Sequence, residues 1–361
     1  MKSPMRIDLS SFTATTALKN TAKGISPIKI WAIAVFIIAT IPLTLPVIGK
    51  GISTEQGWHK SKFEHAGLVR EYRYFIPSNY IENLPVVVLL HGGTQSMKKL
   101  FSRKAGASKQ WPTLAEKENF VLLVPNGTNP KTQKGSGNKQ NWNDCRIPVK
   151  GKRFGVVAND VGFISELIDW SSKKLHTDTN QVFVTGASNG GMMSYRLAME
   201  LPEKITAVAA FIANLPVDSE CKAKNIPIPI MIFNGTKDPF MPWSGGEIKG
   251  DGGKVVSTQK TVDFWLANNH SDRANKTHQT FPDLSKKDKS KITGGCYAPT
   301  RNANSAKTCF YQVNGGGHVT PSIKHDTPRW LQKRLIGWQN KDLESADFAW
   351  SFFLEVKTPA E

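Results

Sequence analysis

Short runs of apolar residues recur along this chain, and most of them end at glycine or polar residues. The runs cover residues 84–90, 120–125, 182–185, 206–212 and 229–233. Continuous apolar runs of this kind are typical of strands that are buried on both faces. Helical patterns lie between or after them, at residues 160–174, 191–201, 255–268 and 345–356. Alternating strands and helices predict an α/β fold with a mostly parallel central sheet flanked by helices.

A different pattern precedes the first buried run. Apolar and polar residues alternate over residues 63–76, which favours a hairpin with residues 70–76 as its second strand and Pro77 as its end. In the parallel part of such a sheet, residues at the carboxyl ends of the strands meet at one edge, where ligands bind. Functional side chains are therefore expected directly after the buried runs.

Residues 30–48 carry no charged side chain and follow a basic leader, residues 1–29, which has five Lys or Arg residues and one Asp. A helix rising about 1.5 Å per residue over this segment would nearly span a hydrocarbon layer of about 30 Å. We expect a signal anchor, with the leader in the cytoplasm and residues 49–361 exported as one catalytic domain. A cleaved signal peptide is the main alternative, although no Ala-x-Ala site follows, and a buried helix is another.

The chain has 361 residues, a hydrophobic content of 39% and a formal net charge of +18. This length and hydrophobic content suffice for one large core. The positive charge indicates either a solvated basic surface or attraction to an anionic polymer or cell surface. No zinc-finger spacing, RNA-binding signature or basic recognition helix supports nucleic-acid binding.

The four cysteines are Cys145, Cys221, Cys296 and Cys309. Four cysteines allow three pairings. Cys296 and Cys309 flank a turn-rich segment between two predicted strands, which is consistent with a disulfide across a hairpin, and Cys145 would then pair with Cys221. The alternative is four reduced thiols in a cytoplasmic protein. No Cys-x-x-Cys pair or Cys/His cluster indicates a metal site.

The run at residues 182–185 ends in Gly186-Ala187-Ser188-Asn189-Gly190, a Gly-x-Ser-x-Gly motif, and a helical pattern follows. A serine on such a sharp strand-to-helix turn is held in a strained backbone with its hydroxyl exposed, and the glycines let strand and helix pass closely. The motif alone is common by chance, but the strand before it and the helix after it indicate a nucleophile. Ser188 is the predicted nucleophile.

Two other strand ends supply the groups that a serine nucleophile needs. Asp238 comes shortly after the run at residues 229–233, and His318 ends a glycine-rich loop that follows residues 310–313. The order Ser188, Asp238, His318 is that of α/β-hydrolases. His318 is predicted to accept the serine proton, and Asp238 is predicted to hold the imidazole in one tautomer and stabilise its charged form.

An oxyanion hole needs two preorganised backbone donors. The amide of Asn189, directly after the nucleophile, is one predicted donor, and the amide of Gly93 or Thr94 is the other. His91, at the start of the same loop, is predicted to be structural. Asp160 precedes a helical pattern and is expected to cap that helix rather than to serve in the triad.

Five motifs occur in order along the chain: Leu90-His91-Gly92-Gly93-Thr94-Gln95-Ser96, Trp142-Asn143-Asp144-Cys145, Asn159-Asp160-Val161-Gly162-Phe163-Ile164, Gly186-Ala187-Ser188-Asn189-Gly190-Gly191 and Gly315-Gly316-Gly317-His318. With them the chain resembles the polyhydroxybutyrate depolymerase and feruloyl esterase group, over about residues 63–353. The resemblance implies a secreted or surface serine esterase of the α/β-hydrolase superfamily, with Ser188, Asp238 and His318 as its triad and no cofactor. It also favours a disulfide near Cys145 and Cys221.

Two departures from that group lie beside the predicted site. Residues 318–322 lack the tryptophan that the group often has after this histidine, and residues 324–343 are longer and more basic than expected. Trp142 and Trp243 lie in loops expected to overhang the cleft, where each would either contact the substrate or anchor its own loop. The expected partner is an ester substrate, small or polymeric, such as a polyester or an acylated polysaccharide.

Several functions stay open at this point. The acyl group could be a hydroxyalkanoate, a hydroxycinnamate or an acetate on a polysaccharide, and transfer to an alcohol instead of water would use the same residues. A noncatalytic protein that binds an anionic polymer through its basic surface is the alternative from another class. The complete set of triad residues favours the esterase.

Overall fold

A computed structural model describes residues 55–148, 155–250, 252–301 and 304–357. The predicted leader at residues 1–29 and the apolar segment at residues 30–48 lie outside the described residues. Among the helices that are described, none combines the length and the apolar character that crossing a bilayer requires.

Most strands of the described chain belong to one mixed sheet. The strands are β1 (Gly57–His65), β2 (Leu68–Ile76), β3 (Val86–Leu90), β4 (Val121–Pro125), β5 (Val182–Ala187), β6 (Ala207–Phe211), β7 (Ile230–Gly235), β8 (Gly246–Glu247), β9 (Lys254–Val255), β10 (Ser271–Lys276), β11 (Gln279–Thr280), β12 (Lys291–Pro299) and β13 (Thr308–Asn314). Their order in the sheet is β1-β2-β4-β3-β5-β6-β7-β13-β12-β10, with β11 paired to β12 and with β8 and β9 forming a separate ribbon.

The centre of the sheet is parallel and its two sides are antiparallel. Neighbouring strands from β4 through β3, β5, β6 and β7 to β13 run parallel. Every residue of β3, β4 and β6 is buried, as their apolar runs predicted. The predicted hairpin is present as β1 and β2. Strands β12 and β10 extend the other side of the sheet and are antiparallel. The sequence did not predict β10, because most of its residues are polar and half of them are exposed.

Helices cover both faces of the sheet. They are α1 (Gln110–Glu118), α2 (Asp160–Leu175), α3 (Asn189–Glu200), α4 (Thr258–Asn268), α5 (Arg329–Leu331), which continues into a π-helical turn (Gln332–Ile336), and α6 (Ser345–Lys357), with short 3-10 turns at Lys99–Phe101, Ala107–Lys109, Pro202–Lys204 and Lys286–Asp288. One buried cluster joins the sheet to α2, α3 and α4, and includes Phe163, Tyr195 and Trp265. The other joins the opposite face to α1 and α6 through Trp111 and Trp350.

The start of α2 differs from the prediction. Asn159, rather than Asp160, caps the helix, since its side chain accepts a hydrogen bond from the Gly162 amide. Asp160 is fully buried and forms an ion pair with the equally buried Arg70, with 2.5 Å between Arg70 Nη2 and Asp160 Oδ1. The other carboxylate oxygen accepts the Asn143 amide at 2.8 Å. Asp160 therefore links the β1–β2 hairpin to the loop before α2.

Both predicted disulfides are confirmed. Cys145 is bonded to Cys221 and Cys296 to Cys309. Cys296 and Cys309 face each other in the register of β12 and β13, so this bond lies across neighbouring strands. The Cys145–Cys221 bond joins positions that are 76 residues apart in the chain.

Candidate active site

Ser188 lies on a sharp turn between β5 and α3. Its backbone is at φ 58° and ψ −122°, a strained conformation for a residue other than glycine. The turn brings the chain close to itself, because a Cβ atom on Gly186 would lie 2.5 Å from the Gly190 carbonyl oxygen, and one on Gly190 would lie 2.4 Å from the Leu90 oxygen. Only glycine fits at these two positions, so the motif directs the Ser188 side chain away from the sheet.

The structure brings Ser188, His318 and Asp238 together. His318 Nε2 lies 2.9 Å from Ser188 Oγ, and His318 Nδ1 lies 2.7 Å from Asp238 Oδ2. The carboxylate needs a donor, so the proton sits on Nδ1 and Nε2 is left to accept the serine hydroxyl proton. This is the tautomer that a general base requires.

Asp238 is held by the loop that follows β7. Its other oxygen, Oδ1, accepts the amides of Phe240 and Met241, each at 2.8 Å. The side chain is only 2% exposed. These two backbone hydrogen bonds fix the carboxylate, which in turn orients the imidazole of His318.

The loop that carries His318 is hydrogen-bonded to the last residue of the π-helical turn and to a residue shortly after it. The His318 amide donates to the Ile336 carbonyl at 2.5 Å, and the Gly317 amide donates to the Trp338 carbonyl at 2.9 Å. A Cβ atom on Gly317 would lie 2.2 Å from the Ile336 oxygen. Residue 317 must therefore be small for the two segments to touch.

The predicted oxyanion donors of the loop after β3, Gly93 and Thr94, line the same cavity as Ser188. Gly92 passes close to the serine, since a Cβ atom on it would lie 3.8 Å from Ser188 Cβ. The Thr94 amide donates to Asn141 Oδ1 at 2.6 Å and is therefore engaged within the protein. Of the two predicted donors in this loop, Gly93 is consequently the one better suited to a substrate oxygen. Asn189 begins α3, where helix amides and the helix dipole favour negative charge.

The side chain of Asn189 is held by a network that the sequence did not predict. Asn189 Oδ1 accepts the Trp142 amide at 2.8 Å, and Asn189 Nδ2 donates to the Trp142 carbonyl at 3.2 Å and to Asp144 Oδ2. Asp144 also forms a buried ion pair with Arg146. The Trp-Asn-Asp-Cys motif was the sequence signal from which this network could have been predicted. Its residues support the turn after the nucleophile.

The substrate contacts predicted for Trp142 and Trp243 are not found. Trp142 is fully buried, and its indole nitrogen donates to the His91 carbonyl at 2.8 Å. Trp243 is partly buried against the core, with its ring centroid 6.2 Å from that of Phe310, and it does not line the cleft. Both rings anchor their own loops, which was the alternative interpretation of each.

His91 is buried and contacts the loop after β3, which is the structural position predicted for it. Its Nε2 atom accepts the Gly127 amide at 3.0 Å, so Nδ1 carries the proton and donates to the Gly92 carbonyl at 2.8 Å. Burial lowers the pKa of His91 from 6.5 to about 4, although the Gly92 carbonyl acts in the opposite direction. The ring is therefore neutral near pH 7.

Ser188 and His318 open into a cavity of about 590 Å³. Its apolar lining includes Leu100, Ile212 and Met241, and the Phe240 ring lies 5.2 Å from the His318 ring. Sequence patterns did not assign these residues to the cleft, because Leu100, Phe240 and Met241 lie in the loops after β3 and β7, and Ile212 is the last residue of a buried apolar run. Within the described ranges, no group of three or more His, Cys, Asp or Glu side chains could hold a metal ion.

Several known proteins are similar to this chain. The Feruloyl esterase D of Neurospora crassa is 29% identical over 48% of this chain and 54% of its own length. The Bifunctional acetylxylan esterase/xylanase XynS20E of Neocallimastix patriciarum is 30% identical over 48% of this chain and 22% of its own length. Each match thus spans less than two thirds of the relative. Among solved structures, the acetyl xylan esterase from Aspergillus awamori matches 76% of this chain and 97% of its own, with 14% identity and a TM-score of 0.49.

One family model matches residues 74–264, more than half of the chain, and these residues include the turn of Ser188 and the loop of Asp238. The description of that family is Phospholipase/Carboxylesterase. The chain belongs to the Phospholipase/Carboxylesterase family, whose members share the α/β-hydrolase fold.

Proposed function

We propose that this protein is a serine carboxylic-ester hydrolase with Ser188, His318 and Asp238 as its catalytic triad. The observation that carries the proposal is the continuous hydrogen-bonded line from Ser188 Oγ through His318 to Asp238, with separations of 2.9 and 2.7 Å. Family membership supports the same class of reaction. No cofactor takes part in the proposed reaction, since the three side chains supply the nucleophile, the base and the carboxylate that orients the base.

In the first half of the reaction, Ser188 Oγ bonds to the ester carbonyl carbon while its proton passes to His318 Nε2. The carbonyl oxygen becomes negatively charged and, in our proposal, accepts hydrogen bonds from the amides of Asn189 and Gly93. The bond to the alcohol oxygen then breaks, and the alcohol leaves with the proton from His318. An acyl group remains on Ser188, and Asp238 stabilises the imidazolium while it exists.

In the second half, a water molecule gives a proton to His318 and bonds to the acyl carbon. The bond between Ser188 Oγ and that carbon breaks, and His318 returns the proton to the serine. The carboxylic acid leaves. An alcohol in place of water would give acyl transfer by the same steps, so the products distinguish the two outcomes.

We further propose that the substrate is an acylated polysaccharide and that the reaction takes place outside the cytoplasm. Relatives named as acetylxylan and feruloyl esterases support the first part. Two disulfides support the second, since such bonds persist in oxidising compartments. For a reaction outside the cytoplasm, we propose that residues 1–29 form a cytoplasmic leader and that residues 30–48 form a membrane anchor or signal segment. Residues 49–361 would then be the exported catalytic domain.

Acyl labelling with a fluorophosphonate tests the triad. We expect one adduct, on Ser188, and we expect Ser188→Ala to abolish it and to lower turnover of p-nitrophenyl acetate by at least about 10⁴-fold. Ser102→Ala is the matched control, because Ser102 is an exposed serine that lines the same cavity, whereas His318 Nε2 lies against Ser188 Oγ. This variant should be labelled like the wild type. Full labelling of Ser188→Ala would overturn the proposal.

A further inference from the structure

The wall of the cleft is basic on the side formed by the segment after β3. Lys99 and Lys104 line the cavity, and Lys98 and Arg103 lie beside them and are exposed. The sequence from residue 91 to residue 115 contains no Asp or Glu. Among the described residues that line the cavity, none is a carboxylate. The local field at the mouth of the cleft is therefore positive.

A further lysine comes from the turn between β8 and β9, on a different part of the chain. Lys249 lines the same cavity, and its Nζ atom lies 5.9 Å from the centroid of the Phe240 ring. The Phe240 ring in turn lies 5.2 Å from the His318 ring. The ammonium group is thus separated from the proposed base by one aromatic ring.

Part of the positive charge elsewhere on the surface is neutralised by neighbouring carboxylates. Lys60, Lys204 and Arg273, for example, each form an ion pair with a nearby carboxylate. Within the described ranges, no ion pair is formed by the cleft cations, which are Lys98, Lys99, Arg103, Lys104 and Lys249. Lys99 instead donates to the Thr94 carbonyl at 3.2 Å. Unpaired cations that converge on one cavity favour an anionic ligand.

We propose that the ester hydrolysed here is carried on an acidic polysaccharide, a sugar chain whose carboxylates bind the cleft cations. This inference rests on the proposed esterase function and names its substrate class. Lys98 and Arg103 lie outside the cavity lining, so the anionic ligand extends beyond the reacting ester, as a polymer does. A flexible polymer chain can enter this concave cleft and contact Lys104 and Lys249 while its neighbouring sugars lie outside.

The test compares two polymers acetylated to the same degree, polygalacturonate and dextran, with the full-length protein. We expect kcat/KM for acetate release to be higher on the acidic polymer at low salt, and we expect added salt to remove the preference. The double variant Lys104→Gln/Lys249→Gln should lower the ratio of the two kcat/KM values by about tenfold, as expected for the loss of two exposed ion pairs worth about 0.7 kcal/mol each.

The control is Lys173→Gln/Lys174→Gln, which removes the same charge from the exposed last turn of α2 and should leave the ratio unchanged. A wild-type ratio of one or less, or a ratio that the cleft variant leaves unchanged, would overturn the inference. So would anionic phospholipid vesicles that bind the wild type but not the cleft variant while the polymers are hydrolysed equally. Failure of the esterase proposal would look different, since neither polymer nor p-nitrophenyl acetate would then be hydrolysed.

Discussion

Replacing His91 by glutamine should remove a large part of the acid sensitivity of the folded protein. The His91 side chain is fully buried, and Nε2 accepts the Gly127 amide at 3.0 Å. A second proton on the ring would set two N–H groups against each other and place a charge where water does not reach. Glutamine can keep one donor and one acceptor at this position, but it does not titrate.

The size of the effect comes from the two pKa values of the imidazole. In the unfolded chain His91 takes up a proton near pH 6.5, whereas burial lowers the pKa in the folded state to about 4. Between these values the unfolded state binds more protons, so the free energy of unfolding falls as the pH is lowered. The contribution is complete above pH 6.5 and lost below about pH 4. At about 1.36 kcal/mol per pKa unit, the loss amounts to about 3 kcal/mol.

Urea unfolding followed by tryptophan fluorescence, from about pH 7.5 to about pH 4, measures this dependence. The wild type should lose about 3 kcal/mol more than His91→Gln over that range. His278→Gln serves as the control, because His278 is exposed, and this variant should follow the wild type. Equal losses in the wild type and His91→Gln, to within about 1 kcal/mol, would refute the assignment of a buried neutral imidazole.

Three further results are expected. Asp238→Asn should lower kcat for p-nitrophenyl acetate by about 10⁴-fold with an unchanged circular dichroism spectrum, because the wrong tautomer of the imidazole is then held; a loss below about tenfold would contradict the triad. Replacing Cys145 and Cys221 by serine should lower the free energy of unfolding in urea by about 4.5 kcal/mol, and replacing Cys296 and Cys309 should lower it by about 3 kcal/mol. The first disulfide stabilises more because it joins positions 76 residues apart, whereas the second joins positions 13 residues apart. The reverse order of the two losses would contradict this dependence on loop length. Asp160→Asn should lower the free energy of unfolding by about 3 to 5 kcal/mol, because its buried partner Arg70 keeps its charge. Asp169→Asn removes a partly exposed ion pair and should lower it by less than about 1 kcal/mol. Similar losses for the two variants would contradict this effect of burial.

The sequence predicted the gathering of Ser188, Asp238 and His318 because of one property of parallel sheets. The residues follow β5, β7 and β13, and all three strands end at the same edge of the sheet. Apolar runs mark such strands clearly, so the residues after them can be assigned to that edge without knowing how the loops fold.

Loop interiors could not be predicted in the same way. A tryptophan in a polar segment gives the same pattern whether it faces a cleft or packs beneath its own loop, and Trp142 proved to be fully buried. The position of Phe240 beside His318 depends on the turn that follows Asp238. Likewise, the antiparallel strand β10 is polar and mostly exposed, so packing against β12 rather than its own composition makes it a strand.

The backbone contact between His318 and Ile336 has a consequence for how this enzyme family can diversify. Residues 331 and 336 line the cleft, and the Ile336 carbonyl also holds the amide of the residue that we propose as the base. Exchanging residues 324–336 with those of a relative, in order to graft a new specificity, would therefore disturb the rate along with the selectivity. A successful graft would need to retain Gly317, Ile336 and Trp338, because backbone hydrogen bonds at these positions connect the two segments. Substrate range and turnover are thus coupled in this segment.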